Sequence, residues 1–171
     1  MITDRMAAAL NGQINAELYS SYLYLSMAAY AENEGLPGTA NWLFVQVQEE
    51  MTHAQRLFAY MNRVGARVAL DAIEKPPAEF EGIVSIFEQV LAHEQKVTAL
   101  INGLVDVAVE ERDHATESFL MWFVDEQVEE EETANTLLAQ LRLAGGQGPA
   151  LFMIDRELGA RAFTASADAK A

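Results

Sequence analysis

Four long stretches of this chain carry apolar residues at helical spacing, and the breakers between them leave little choice of fold. Interruptions fall at "EGLPGT" (34–39), at "GARVALDAIEKPPAEFEG" (65–82), at the weaker "ERDH" (111–114) and at "GGQGP" (145–149). The spacing predicts helices over about 3–33, 39–64, 83–110 and 114–143, with a short fifth over about 149–161. The tail "TASADAKA" is expected to fray. Four amphipathic helices of near-equal length make an all-α four-helix bundle. The first and third connections are short, so each joins antiparallel neighbours. The second, of about 16 residues, reaches up to roughly 53 Å when extended. A helix of about 26 residues is only about 39 Å long. That connection can therefore run the length of the bundle and start the third helix parallel to the second. No repeat or low-complexity tract interrupts the pattern, and residues 1–171 read as one domain.

Composition narrows the partners. The formal net charge is −15, which argues against nucleic acid and favours cations, because such a field concentrates them. The absence of cysteine excludes both disulfides and thiolate metal sites. The N-terminal "MITDRMAAALNGQINAEL" lacks a basic segment followed by a continuous apolar run, so no signal peptide is read there. No apolar run is long enough to span a bilayer. A soluble, cytoplasmic protein with no membrane partner is the expectation.

Each of the four long helices carries one glutamate on its apolar face. At about 100° per residue, Glu17 lies within roughly 60° of Leu10, Ile14, Ser21, Tyr24 and Ala28. Glu50 shares a stripe with Leu43, Val47, Ala54, Leu57 and Met61. Glu94 falls among Ile83, Phe87, Val90, Leu91 and Ile101, and Glu130 among Phe119, Phe123, Gln127, Ala134, Leu137 and Leu141. Counted from the loops, all four sit near mid-height. An unpaired carboxylate in a core costs several kcal/mol or protonates. Four that converge repel one another unless cations sit among them, and two divalent ions carry the required charge. "EEMTH" adds His53 three residues after Glu50, on the same face, so that both side chains reach one ion. Carboxylates with a single imidazole and no thiolate suit iron or manganese.

With these residues in place, the sequence resembles the bacterial non-haem ferritins over about residues 3 to 160. Glu17, Tyr24, "EEMTH" at 49–53, Glu94 and "EQVEEE" at 126–131 carry the likeness. The resemblance implies a ferritin-like bundle with a long crossover between its second and third helices. It also implies an iron-storage protein with ferroxidase activity, oxidising Fe(II) with O2 or H2O2 and holding ferric mineral inside a homo-oligomeric shell, typically of twenty-four copies. It assigns Glu17, Glu50 and His53 to one iron, and Glu50, Glu94 and Glu130 to a second, with Glu50 bridging. Gln127 lies beside the first pair, where it can contact bound oxygen or water. Glu49, Glu126 and Glu129, with Glu130, hold a third iron in this reading. Tyr24 is placed to donate an electron, and Trp122 similarly. Haem-binding bacterioferritins carry a second Glu-x-x-His where this chain has Gln127 and Glu130, so haem is not expected, although Met51 matches their haem-ligand position.

Other residues take plainer readings. Glu131 and Glu132 turn away from Glu130 and are expected to be solvated. His93 is expected at a surface or interface, and Trp42, Phe44 and Trp122 in the core or at an interface. Asp113 is read as a helix cap, with an iron-entry channel at a symmetry axis as the sharper alternative for Glu111, Asp113, His114 and Glu117. Two rival functions fit the same residues: a passive divalent-metal buffer without redox turnover, and a structural bundle with surface-exposed carboxylates.

Overall fold

A computed structural model of the chain describes residues 2–164; the expected fraying of the tail lies outside the described residues beyond Thr164. Helix α1 spans Asp4–Asn33, α2 Pro37–Arg63, α3 Ile83–Glu111, α4 His114–Leu143 and α5 Gly148–Leu158. The main difference from the sequence expectation is α2, which starts at Pro37, inside the predicted break. Proline is tolerated in the first helical turn, where its missing N–H would have no intrahelical partner. Helix α5 ends at Leu158, ahead of Gly159, earlier than expected. Among the described residues, no helix is long and apolar enough to cross a membrane.

Two apolar clusters define the topology. One joins Met6, Leu10 and Ile14 of α1 to Leu57, Tyr60 and Met61 of α2, Ile101, Leu104 and Ala108 of α3, and Leu120 and Phe123 of α4. The other joins Met27 and Ala31 to Ala40 and Leu43, Ile83 and Phe87, and Leu138 and Leu141. The start of α1 therefore meets the end of α2, the end of α3 and the start of α4. Hence α1 and α2 are antiparallel, α2 and α3 parallel, and α3 and α4 antiparallel, as the loop lengths require. Residues 64–82 make the crossover. Asn11 Nδ2 donates to Arg67 O at 3.2 Å, and Asn15 Nδ2 to Ala72 O at 3.1 Å, tying it to α1. Asp113 caps α4 by accepting from Thr116 N at 3.1 Å.

Helix α5 supplies what α2 lacks. No side chain at Leu36 caps the start of α2. Asp155 of α5, 7% exposed, does so from across the chain. Its Oδ1 accepts from Thr39 N at 2.7 Å and Thr39 Oγ1 at 2.9 Å, and its Oδ2 from Gly38 N at 3.1 Å. Gly38 permits this approach, since a Cβ there would lie 1.6 Å from Asp155 O. Asp155→Ala is expected to cost about 2 kcal/mol, by removing a charged cap and stranding buried N–H donors. That corresponds to a fall in Tm of roughly 4–8 °C for a chain of this size. Thermal unfolding of the two proteins side by side checks it; melting within 1 °C of one another would show that Asp155 does not anchor α5.

Candidate metal centre

Between the two apolar clusters lies a polar layer. Glu17 and Glu94 are 1% exposed, Glu50 2% and His53 5%. Ligand atoms of Glu17, Glu50 and His53 all lie within 4.8 Å of one another. Helix geometry brings them there. Glu50 and His53 share one face of α2, with His53 Nδ1 3.5 Å from Glu50 Oε2, and Glu17 faces them from antiparallel α1. The imidazole is held edge-on by Trp122, with ring centroids 5.4 Å apart, and by Phe123 at 6.0 Å. Burial of these carboxylates removes the bundle with surface-exposed carboxylates from consideration.

The electrostatics of this layer favour either protonated carboxyls or a bound cation. Burial, then the charge of Glu50, holds the Glu17 carboxyl well above the usual carboxylate range. Burial, then Glu94 and Glu130, does the same to Glu50. Glu94 is raised by burial, and Glu130 is pushed to about 7 by burial and then by the charges of Glu94 and Glu49. Glu17 Oε1 accepts from Gln13 Nε2 at 2.8 Å, but its Oε2 is buried with no hydrogen-bond partner. A buried carboxylate oxygen without a donor is rare in native proteins. Here it belongs to a trio whose lone pairs converge, and a metal ion fits that donor set.

The remaining expected ligands occupy adjoining positions. Glu94 accepts from the Tyr24 hydroxyl and from Gln127 Nε2 at 3.1 Å. Gln127 Nε2 also reaches Glu94 O at 3.2 Å and Thr98 Oγ1 at 3.3 Å, so this amide nitrogen is committed to Glu94 and Thr98, not to the Glu50–His53 pair. Glu130 is half-buried and accepts from Gln46 Nε2 at 3.0 Å. Glu49, Glu126, Glu129 and Glu130 line one cleft of about 160 Å³, together with His53 and Trp122. Glu49 and Glu126 are each raised chiefly by burial, whereas Glu129 is exposed. Met51 is 39% exposed.

One expectation needs correction, that Glu131 is solvated. His93, read as lying at a surface or interface, is half-buried against α1: its Nε2 is 2.8 Å from Ser20 Oγ, and its ring stands edge-on to Tyr24 at 5.9 Å. Burial, then Lys96, lowers its pKa to about 4, so it packs as a neutral ring behind the tyrosine. Glu131 is half-buried and accepts from Thr98 Oγ1 at 2.6 Å, because α3 passes close to that side of α4. Sequence reasoning also missed Gln13 and Gln46. Both stand one turn before a core glutamate, Glu17 and Glu50 respectively, and that polar pair at i, i+4 on an apolar face is the signal that could have found them.

Known proteins share this fold. The sequence family described as Ferritin-like domain matches residues 7–144. A bacterial non-heme ferritin of Bacteroides fragilis is 44% identical over 161 residues, covering 94% of this chain and 100% of its own. A bacterial non-heme ferritin of Staphylococcus aureus is 39% identical over 163 residues, covering 95% and 98%. Among solved structures, a ferritin of Archaeoglobus fulgidus, engineered into a closed form, superposes with a TM-score of 0.94 at 49% identity, covering 96% of this chain and 100% of its own. One carboxylate from each long helix, a histidine one turn beyond the second, the parallel crossover and these likenesses lead to one assignment: the chain belongs to the ferritin family.

Proposed function

We propose that this protein stores iron and oxidises it, taking Fe(II) at the buried centre, passing its electrons to O2 or H2O2, and holding ferric mineral inside a homo-oligomeric shell, of twenty-four copies by resemblance. The observation that carries this reading is the Glu17–Glu50–His53 trio with its donorless Glu17 oxygen. Iron is the substrate. Two ferrous ions supply two electrons, which reduce O2 with two protons to H2O2, or H2O2 with two protons to water. Glu17, Glu50 and His53 hold the first ion; Glu50, Glu94 and Glu130 hold the second, with Glu50 serving both.

The carboxylates oppose the charge that grows on oxidation, and the low local dielectric strengthens that effect. Because burial favours their protonated forms when metal is absent, ion binding displaces protons. Tyr24 is placed to supply a third electron, which, with a fourth from Fe(II) at the third position, completes the reduction of O2 and four protons to two water molecules. Its phenol is raised by burial and by Glu94, so it stays protonated, and Glu94 accepts its proton when the electron leaves. Gln127 fixes the orientation of Glu94. The relatives named above are non-heme ferritins, in keeping with a site that needs no haem.

Aerobic titration with Fe(II), with oxygen uptake and particle size read together, tests the proposal. Oxygen consumption with ferric retention in a large particle is the expected result. Ion binding without oxygen or peroxide consumption would instead identify a passive metal buffer.

The cleft beside the pair is read as a third iron position held by Glu49, Glu126, Glu129 and Glu130. Hard carboxylates without imidazole suit Fe(III) better than Fe(II). Changing Glu49, Glu126 and Glu129 together to Ala is expected to change the iron-to-oxygen ratio and slow later mineral growth several-fold, while a fast first phase of about two irons per subunit persists. Loss of that first phase in a correctly folded shell would refute the separation of the two sites.

A further inference from the structure

The cleft beside the metal pair already contains a cation of the protein's own. Beyond α5 the chain turns back, and Asn41 Nδ2 donates to Arg161 O at 2.9 Å. The Arg161 guanidinium lies 4.7 Å over the Trp42 ring. One of its nitrogens donates to Glu49 Oε2 at 2.7 Å, and the other donates to Gln46 Oε1. Gln46 in turn donates to Glu130 Oε2 at 3.0 Å. Arg161 is therefore bonded directly to one acidic residue of the cleft and through one amide to a second. Its side chain is 25% exposed and that of Glu49 is 23% exposed, so the pair is shielded from most of the solvent.

We infer that Arg161 is a resident competitor for the outer iron position, and that it sets how tightly this position holds an ion. The inference rests on the third-iron reading given above. A guanidinium stays charged at every working pH, so it cannot withdraw by losing a proton. An incoming ion must take Glu49 from it. Until the side chain swings away, the ion also faces a positive charge across the same cleft. This repulsion grows with ionic charge, so Arg161 weakens a trivalent ion more than a divalent one. That ordering suits a transit position, because a ferric product is held loosely and passes on. The anchor of α5 lies upstream, in the Asp155 cap, so the arginine and its segment can let go while α5 stays docked.

The test uses the assembled protein and two redox-inert probes, Zn(II) and Tb(III). Trp122 lines the cleft and serves as an antenna for Tb(III) luminescence. Arg161→Gln keeps the length and removes the charge. It is expected to tighten Tb(III) binding about tenfold and Zn(II) binding about threefold, in line with one partly buried ion pair. Arg161→Lys, which keeps the charge, is expected to stay within about threefold of wild type for both. Equal or weaker Tb(III) binding in Arg161→Gln, with particle size unchanged, overturns the inference.

Hydrogen exchange on the wild-type protein gives a second readout that needs no variant. Filling the cleft with Tb(III) should lower protection over residues 159–164, and unchanged protection at saturation also overturns the inference. The triple Glu49, Glu126 and Glu129 to Ala variant separates the two readings. If it keeps the Tb(III) emission at undiminished affinity, the ion is not in this cleft and the third-site reading fails. If it loses that emission while Arg161→Gln behaves as wild type, only the role of Arg161 fails.

Discussion

Glu50→Ala is expected to slow the initial oxidation of Fe(II) by about 100-fold or more while leaving the helices intact. Glu50 shares the 4.8 Å trio with Glu17 and His53, and it also feels the charges of Glu94 and Glu130. In the proposed reading, Glu50 is the one carboxylate that serves both ions. On that reading, removing it would take a ligand from each ion, so one oxidant could no longer collect two electrons from a fixed pair. The fold should survive. Truncation opens a small cavity, but it also removes a buried carboxyl that burial and two neighbouring charges oppose, and these effects offset one another. Glu50→Gln separates charge from volume: it fills the same space with a neutral amide and should be nearly as slow. Stopped-flow absorbance with parallel oxygen uptake measures both variants. An initial rate within about threefold of wild type, at full helicity, would remove Glu50 from the bridging role.

Much of this arrangement was readable from periodicity. Each core glutamate sits on a largely apolar face, and a helix has only one way to turn that face inward. Loop lengths then set the topology, since only the crossover could span the bundle. The details that escaped depend on partners distant in sequence or on unusual backbone. Arg112 closes α3 with φ 57°, a left-handed cap that glycine normally takes, so "ERDH" looked like a weak break. Asp155 in "ALFMIDREL" drew no reading from the sequence, because its role depends on α2 lying 116 residues away in the chain. Arg161 was one more residue of a short terminal segment, and nothing local announces that it folds back onto Trp42 and Glu49. For His93, helical phase gave direction but not depth: the side chain turns away from Glu94, and Ser20 and Tyr24 of α1 partly cover it.

The metal-free protein is expected to lose stability as the pH rises from about 4.5 to about 7, the reverse of the usual behaviour of salt-bridged carboxylates. Glu130 carries the clearest share. Its ordinary value is 4.5, and in the folded protein it is pushed to about 7 by burial first and by Glu94 and Glu49 next. Below about 4.5 the carboxyl is protonated in both folded and unfolded chains, and its contribution is fully present. Between the two values the unfolded chain sheds the proton while the folded chain keeps it, so each step upward favours unfolding. Above about 7 both are ionised, and the loss from this one group has reached about 3 kcal/mol. Glu17, Glu50 and Glu94 shift in the same direction and reinforce the slope. For a chain of this size the Glu130 share alone corresponds to a fall in Tm of roughly 10 °C. Zn(II) should reverse the trend, because the ion binds the ionised carboxylates and stabilises the folded state by mass action. Tm measured from pH 4.5 to 7.5 in chelator, and again with saturating Zn(II), tests both halves. Glu130→Gln isolates the group: its chelated melting curve should be flatter than wild type by about the same 10 °C. A chelated wild-type Tm that stays level or rises across this window would mean that the carboxylates are already ionised in the metal-free fold, and that the charge they carry is balanced by something other than protons.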